Sequence, residues 1–222
     1  GSGLIRHNPV MGVSKVIPRP KGKSINDLAN LPYTHEMLQR WFDHIKNEPT
    51  ILVISAIALY SGMRLDEICS LKKADLDEDC FLVTNGKTGS SIRKIPIHKI
   101  LIPLVKGLYD SSSHDYLIEG LKSYHDDRSH YLGKIMTTRR KQLGFEKRKY
   151  TFHSFRSNFI TEMDNLGTKL SITQTIVGHT HKNLVRDVYS SGVRIERQRD
   201  ALNRLSFGEI DNLVNRINVI HI

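Results

Sequence analysis

Cysteine is nearly missing from this chain: its 222 residues include only Cys69 and Cys80, neither in a C-x-x-C pair nor beside further ligands at metal-site spacing. Both are expected to be reduced and structural, with no basis for a zinc site. Long apolar runs are missing too. The longest, Ile51 to Tyr60, falls well short of the roughly 20 residues a membrane span requires, and no signal peptide opens the sequence. A soluble, intracellular protein with no membrane partner is therefore expected. Acidic residues are outnumbered, 23 Asp and Glu against 33 Lys and Arg, for a net charge of +10. Such a surface suits a polyanion such as nucleic acid, although basic charge also serves membrane surfaces and plain solubility. Two hydrolytic signatures are absent: no Gly-x-Ser-x-Gly elbow occurs, and His179-Thr180-His181 has neither a third ligand at recognisable spacing nor paired carboxylates near it. Those absences count against a serine hydrolase and a metal-dependent nuclease.

What is present suffices for a fold, since 39% of the residues are hydrophobic. Gly1-Ser2-Gly3 reads as a cloning scar, and residues 4–24, with Asn8-Pro9, Pro18, Pro20 and Lys21-Gly22-Lys23, read as an interdomain linker. The chain is thus expected to be a fragment of a longer protein, with residues 25–222 as its compact domain. Thr34 can cap a helix that carries Met37, Leu38, Trp41, Phe42 and Ile45 on one face. Ile51–Tyr60 is apolar nearly all round, which predicts a buried central helix ending at Ser61-Gly62. Phe81-Leu82-Val83-Thr84, the turn residues Gly86-Lys87-Thr88-Gly89-Ser90, and then Ile92, Ile95 and Ile97 predict a β-hairpin. Helical signals resume after Pro103, with Phe155, Phe159, Ile160 and Met163 on one helix and Ile172, Ile176 and Val177 on another that stops at Gly178. Arg194 to Arg204 reads as charged and polar, and Ile210, Leu213, Val214 and Ile217 predict a short tail helix within about 205–222. The fold class is mainly α with a small antiparallel β-sheet or hairpin.

Cleaving a DNA phosphodiester without a metal requires a nucleophile, a proton donor for the departing oxygen and several cationic donors around the phosphorus. His153 and Arg156, in Thr151-Phe152-His153-Ser154-Phe155-Arg156, are three apart on one helix face and could grip one phosphate. In Ser61-Gly62-Met63-Arg64-Leu65-Asp66-Glu67, a glycine turn delivers Arg64 to a helix start, the end that favours phosphate, with Glu67 one turn on. Lys87 lies in the hairpin turn, where its ammonium could protonate a leaving oxygen. Gly178-His179 follows a helix, and Tyr189 comes ten residues later in Arg186-Asp187-Val188-Tyr189-Ser190. Singly, each has an ordinary explanation: a surface His–Arg or Arg–Glu helix pair, a turn lysine, a tyrosine packed in a core.

In this order the residues resemble the tyrosine recombinase (phage integrase) family, whose signature runs Arg, Lys, His-x-x-Arg, Gly-His and Tyr; here these are Arg64, Lys87, His153 with Arg156, His179 and Tyr189. The resemblance implies the family's DNA breaking-rejoining catalytic-domain fold, with an N-terminal DNA-binding domain preceding it in the longer protein. It implies site-specific recombination of double-stranded DNA attachment sites through a 3′-phosphotyrosine at Tyr189, with no metal, ATP or other cofactor. Glu67 takes the family's acidic supporting position. Other protomers on DNA, in a tetrameric synapse, are the implied protein partners, and the apolar stripe of the tail helix would cover either a neighbouring protomer or its own core. The interval from His179 to Tyr189 is longer than the family's commonest, and Leu184-Val185 stand where polar residues are frequent; the longer interval resembles the prophage and genomic-island branch, implying a bacterial cytoplasmic enzyme that works at the nucleoid. A type IB topoisomerase-like enzyme and a catalytically silent DNA-binding regulator of the same fold remain as alternatives.

Overall fold

The computed structural model of the protein describes residues 30–84, 92–179 and 194–217. The linker read over residues 4–24, the hairpin turn with Lys87, the stretch with Tyr189 and residues 218–222 lie outside them.

The first helix, α1 (His35–Ile45), starts where expected, with the Thr34 hydroxyl accepting the Met37 N–H at 3.2 Å, and buries Leu38, Trp41, Phe42 and Ile45. A second, α2 (Pro49–Ser61), has a proline in its first turn, which sacrifices no helical hydrogen bond there, and is buried at every residue from Ile51 to Ser61. Because it has no polar face, α2 can only be a central helix, and α1 and α6 (His153–Asn165) pack on it. The stretch before α1 is tied in by a side chain: Asn158 of α6 accepts the Tyr33 N–H at 2.9 Å and donates to the Tyr33 carbonyl at 2.7 Å.

After a short α3 (Leu65–Cys69) the chain forms a three-stranded antiparallel sheet in the order β1 (Leu76–Asp77), β2 (Cys80–Val83), β3 (Arg93–Pro96). The hairpin is therefore present, with Phe81 opposite Ile95 and Val83 opposite Arg93. Two features differ from expectation. β1 is too short to carry a periodicity. Ile92 is not a core position but 62% exposed, and Arg93 is buried instead. The pleat explains this: alternation fixed by Ile97 and Ile95 puts residue 93 on the inner face and residue 92 outside.

Three helices follow β3 before the segment holding Tyr189, in addition to α6: α4 (Ile102–Ser111), α5 (His130–Gln142) and α7 (Leu170–Val177). Beyond that segment, Arg194–Arg204 is not merely a polar stretch. It contains α8 (Ile195–Leu202), which buries Gln198, Ala201 and Leu202 and packs on β3 and α7. A glutamine in the middle of the buried stripe hid the helical period. The tail helix α9 (Glu209–Asn215) buries Ile210 and Val214 against its own domain, where it meets α1 and the 3-10 turn Lys99–Leu101, with Leu213 and Ile217 packed at the margin.

A polar group secures this tail. Asp211 accepts the Phe207 N–H at 2.8 Å, the Ser206 hydroxyl at 2.7 Å and the hydroxyl of Tyr60, from the buried face of α2. His98, its ring tilted 43° against that of Tyr60 with centroids 4.9 Å apart, accepts the Ile100 N–H at Nδ1 and meets the Leu205 carbonyl through Nε2 at 3.2 Å. Those partners require the neutral ring with the proton on Nε2. Burial lowers the His98 pKa from 6.5 to about 4.

The unfolded chain therefore binds a His98 proton before the folded chain does, so stability is complete above pH 6.5 and declines as pH falls toward 4. Urea titrations across that window are expected to show a loss of about 3 kcal/mol from this group, and His98→Gln should flatten the pH 4.5–6.5 part of the curve. Ile210→Ala should lower stability by about 2–4 kcal/mol at every protein concentration. A loss seen only where copies associate would mean that α9 covers another copy.

Candidate active site

The turn after α2 builds one wall. Gly62 adopts a left-handed conformation, φ +66°, that closes the helix by returning its N–H to the Ala58 carbonyl at 3.0 Å. There is no room for a side chain there, since a Cβ would sit 2.7 Å from Cδ1 of Phe159. Two residues later Arg64 caps α3. Its backbone N–H donates to Oε2 of Glu67 and its Nη1 to Oε1, both at 2.8 Å. The start of α3 is thus filled by a carboxylate and is not an open phosphate site. What Arg64 can offer an anion is its guanidinium, whose side chain is 38% exposed while that of Glu67 is buried.

A second wall comes from α6 and α7. Arg156 is 1% exposed. Its Nη1 donates to the Gly62 carbonyl at 2.7 Å and its Nη2 to the Val177 carbonyl, while its Nε is buried without a hydrogen-bond partner among the described residues. One guanidinium therefore ties the end of α2 to the end of α7. His153, three residues earlier on α6, is exposed, as is His179 after α7. The two members of the His-x-x-Arg motif share a face, as spacing requires, but only the histidine reaches the surface.

The hydrogen bonds of Arg156 bring the ends of α2 and α7 together, and the charges there act on one another. Loss of surrounding water together with repulsion from Arg156 and Arg64 lowers the pKa of His153. His179 is lowered further, to about 4, by loss of water and by Arg156, Arg64, His153 and Arg93. Because His179 as a whole is exposed, the surrounding cations weigh more than burial in our reading. Burial and Arg64 also disfavour the charge on Arg156, although a guanidinium keeps its proton in proteins. Guanidinium groups held this close, with the Glu67 carboxylate between Arg64 and Arg93 and Asp66 also acting on Arg156, make a locally positive surface that favours an anion.

Sequence reasoning missed Arg93. Its Nη1 and Nη2 grip Glu67 at 3.0 and 2.9 Å, and its Nε donates to the Ile176 carbonyl at 2.8 Å. Burial alone would raise the Glu67 carboxyl, but hydrogen bonds and charge from Arg93 and Arg64 hold it below the usual carboxylate range. The strand's alternation was the signal that could have found Arg93. The structure thus brings together Arg64, Glu67, His153, Arg156 and His179, and Lys87 and Tyr189 lie outside the described residues.

The model of the phage integrase family matches residues 33–192, well over half of the chain and every residue of this cluster. The chain belongs to the phage integrase family. Among curated members of this tyrosine recombinase group it is 29% identical, over 161 residues, to the tyrosine recombinase XerA of Thermococcus onnurineus, covering 64% of this chain and 50% of that one. The chain spans about half the length of that relative. The integrase of mycobacterium phage Brujita shares its fold, with a TM-score of 0.64 at 19% identity over 90% of this chain and 67% of that one. So does the lambda integrase solved as a tetramer on a Holliday junction, with a TM-score of 0.56 at 17% identity over 75% and 51% of the two chains. The fold of this integrase-family domain is accordingly the tyrosine recombinase catalytic-domain fold.

Gly62→Ala tests the dependence of the cluster on the α2 turn. A left-handed alanine and the collision with Phe159 are expected to cost about 2–4 kcal/mol in urea unfolding. The displaced Gly62 carbonyl should also raise hydrogen exchange at the α7 end.

Proposed function

We propose that this chain is the catalytic domain of a site-specific recombinase that cuts and rejoins double-stranded DNA through a 3′-phosphotyrosine at Tyr189. The observation that carries the proposal is that Arg156 joins the ends of α2 and α7, where Arg64 and His179 follow and His153 opens α6 with both histidines exposed, with Glu67 buried against Arg64. In this reading the Tyr189 hydroxyl gives up its proton, with His153 or His179 as the shuttle, and its oxygen attacks the scissile phosphorus. The bond to the 5′-oxygen breaks, and Lys87 protonates that oxygen as it leaves. Arg64, through its exposed guanidinium, offsets the charge that develops on the non-bridging oxygens, and the buried Arg156 adds its positive charge from the helix ends that it joins. A 5′-hydroxyl from a partner strand then attacks the phosphotyrosine, restoring a phosphodiester and freeing Tyr189. One ester replaces another at each step, so the chemistry needs neither ATP nor a metal ion.

The net charge of +10 supports DNA as the partner. The lambda integrase tetramer on a Holliday junction supports protomers that assemble in a tetrameric synapse on DNA. Relatives named as phage integrase and as XerA leave the biological setting open between them, and we favour a bacterial prophage or genomic island, with the enzyme working in the cytoplasm at the nucleoid. Attachment-site choice belongs to groove contacts and DNA bending, together with an N-terminal domain in the longer protein.

The deciding experiment incubates the protein with nicked suicide duplexes tiled across the DNA flanking its own gene and looks for an SDS-resistant adduct. An adduct lost in Tyr189→Phe is expected. Specific binding without an adduct would favour a silent DNA-binding regulator, and rejoining of the same strand by a lone protomer would favour a topoisomerase.

A further inference from the structure

No step of the proposed chemistry uses Arg93, yet this buried side chain touches both walls of the cluster. Its planar fork lies along the Glu67 carboxylate, so that each carboxylate oxygen is shared between two arginines: Oε1 takes Nη1 of Arg64 and Nη1 of Arg93, and Oε2 takes the Arg64 N–H and Nη2 of Arg93. A bidentate fork fixes the plane of a carboxylate as well as its position. The face that Glu67 presents to Arg64 is thereby fixed too. At its other nitrogen, Nε, Arg93 holds the Ile176 carbonyl in the last turn of α7. The next turn closes directly over it: Gly178 is left-handed, and a Cβ there would lie 3.0 Å from Nη1 and 3.1 Å from Cζ of Arg93. His179 follows at once.

We infer that Arg93 is a positioning residue, a single buried guanidinium that sets Arg64, through Glu67, in register with His179, through the end of α7. The inference rests on the proposed function to this extent: the register matters to catalysis only if Arg64 and His179 serve one phosphate. A brace that merely stabilised the fold could be replaced by a well-packed apolar side chain once Glu67 is also made neutral. A positioning residue could not, because lost register of about 1 Å is worth up to about a hundredfold in rate. The charged groups that face Glu67 are Arg64 from its own helix, Arg93 from β3 and Arg156 from α6. Removing Arg93 leaves burial to push the Glu67 carboxyl upward, which moves the acid limb of any rate that needs ionised Glu67 to higher pH.

The test compares the unsubstituted chain with Arg93→Met, Arg93→Lys and the pair Glu67→Gln with Arg93→Met. Carbon-13 NMR follows the Glu67 carboxyl and the His179 ring through pH titrations, and the nicked-duplex assay follows the adduct rate at saturating DNA. In Arg93→Met, both titrations should move and the rate should fall on the order of 10- to 100-fold with DNA affinity little changed. Its acid limb should also shift upward. The neutral pair should regain stability without regaining rate. Arg93→Lys keeps the charge but not the fork, so it should restore folding and part of the Glu67 titration while the rate stays low; should Arg93→Met fail to fold, this variant carries the comparison. Recovery of the full rate in the neutral pair, or a titration shift at Glu67 with none at His179, would overturn the inference. If the unsubstituted chain makes no adduct, the recombinase reading fails separately, and the paired titrations still decide whether Arg93 couples the two walls.

Discussion

A guanidinium buried at the junction of three helices governs how the rest of this domain is arranged. Arg156 reaches from α6 to the carbonyls of Gly62 and Val177, the points where α2 and α7 end. A charge so placed is tolerated only with hydrogen-bond acceptors fixed around it, and helix ends supply carbonyls that no intrahelical N–H can satisfy. The left-handed glycines at 62 and 178 turn the chain away immediately afterwards, which leaves room for Arg64 on one side and His179 on the other. The same contacts that close two helices therefore bring the segments carrying Arg64 and His179 together.

A second constraint keeps the accumulated positive charge from pushing the cluster apart. Glu67 stands between Arg64 and Arg93, and its buried carboxylate remains ionised because every oxygen is met by donors on two sides. The sheet matters to the site for this reason more than for its size. Its third strand carries Arg93 to the interior and follows Lys87 in the sequence. The helix α8 packs on that strand and on α7, so segments before and after Tyr189 in the sequence rest on the same support. The tail helix α9 lies on its own domain, fixed by Asp211 and Tyr60, an outcome that its apolar stripe alone left open.

Much of this was legible in the sequence wherever a pattern repeated. Trp41 and Phe42 mark the inner face of α1, the unbroken apolar run marks α2 as central, and Gly62 and Gly178 mark two helix ends; hydrophobic period and steric freedom at glycine are local properties that one chain displays directly. The ordered residues Arg64, His153, Arg156 and His179 were legible through their resemblance to a family, and the structure brings all four together. Local sequence could not say that Arg156 would be buried while His153 stayed open, that Glu67 would fill the start of α3, or that Arg93 and not Ile92 would face inward. Each of those depends on a partner distant in the chain: Arg156 on Gly62, Glu67 on Arg93, Arg93 on Ile176. Composition and period fix which residues seek burial or a hydrogen bond, but a buried charge is permitted only by the acceptors that packing delivers, and only the tertiary structure decides which those are.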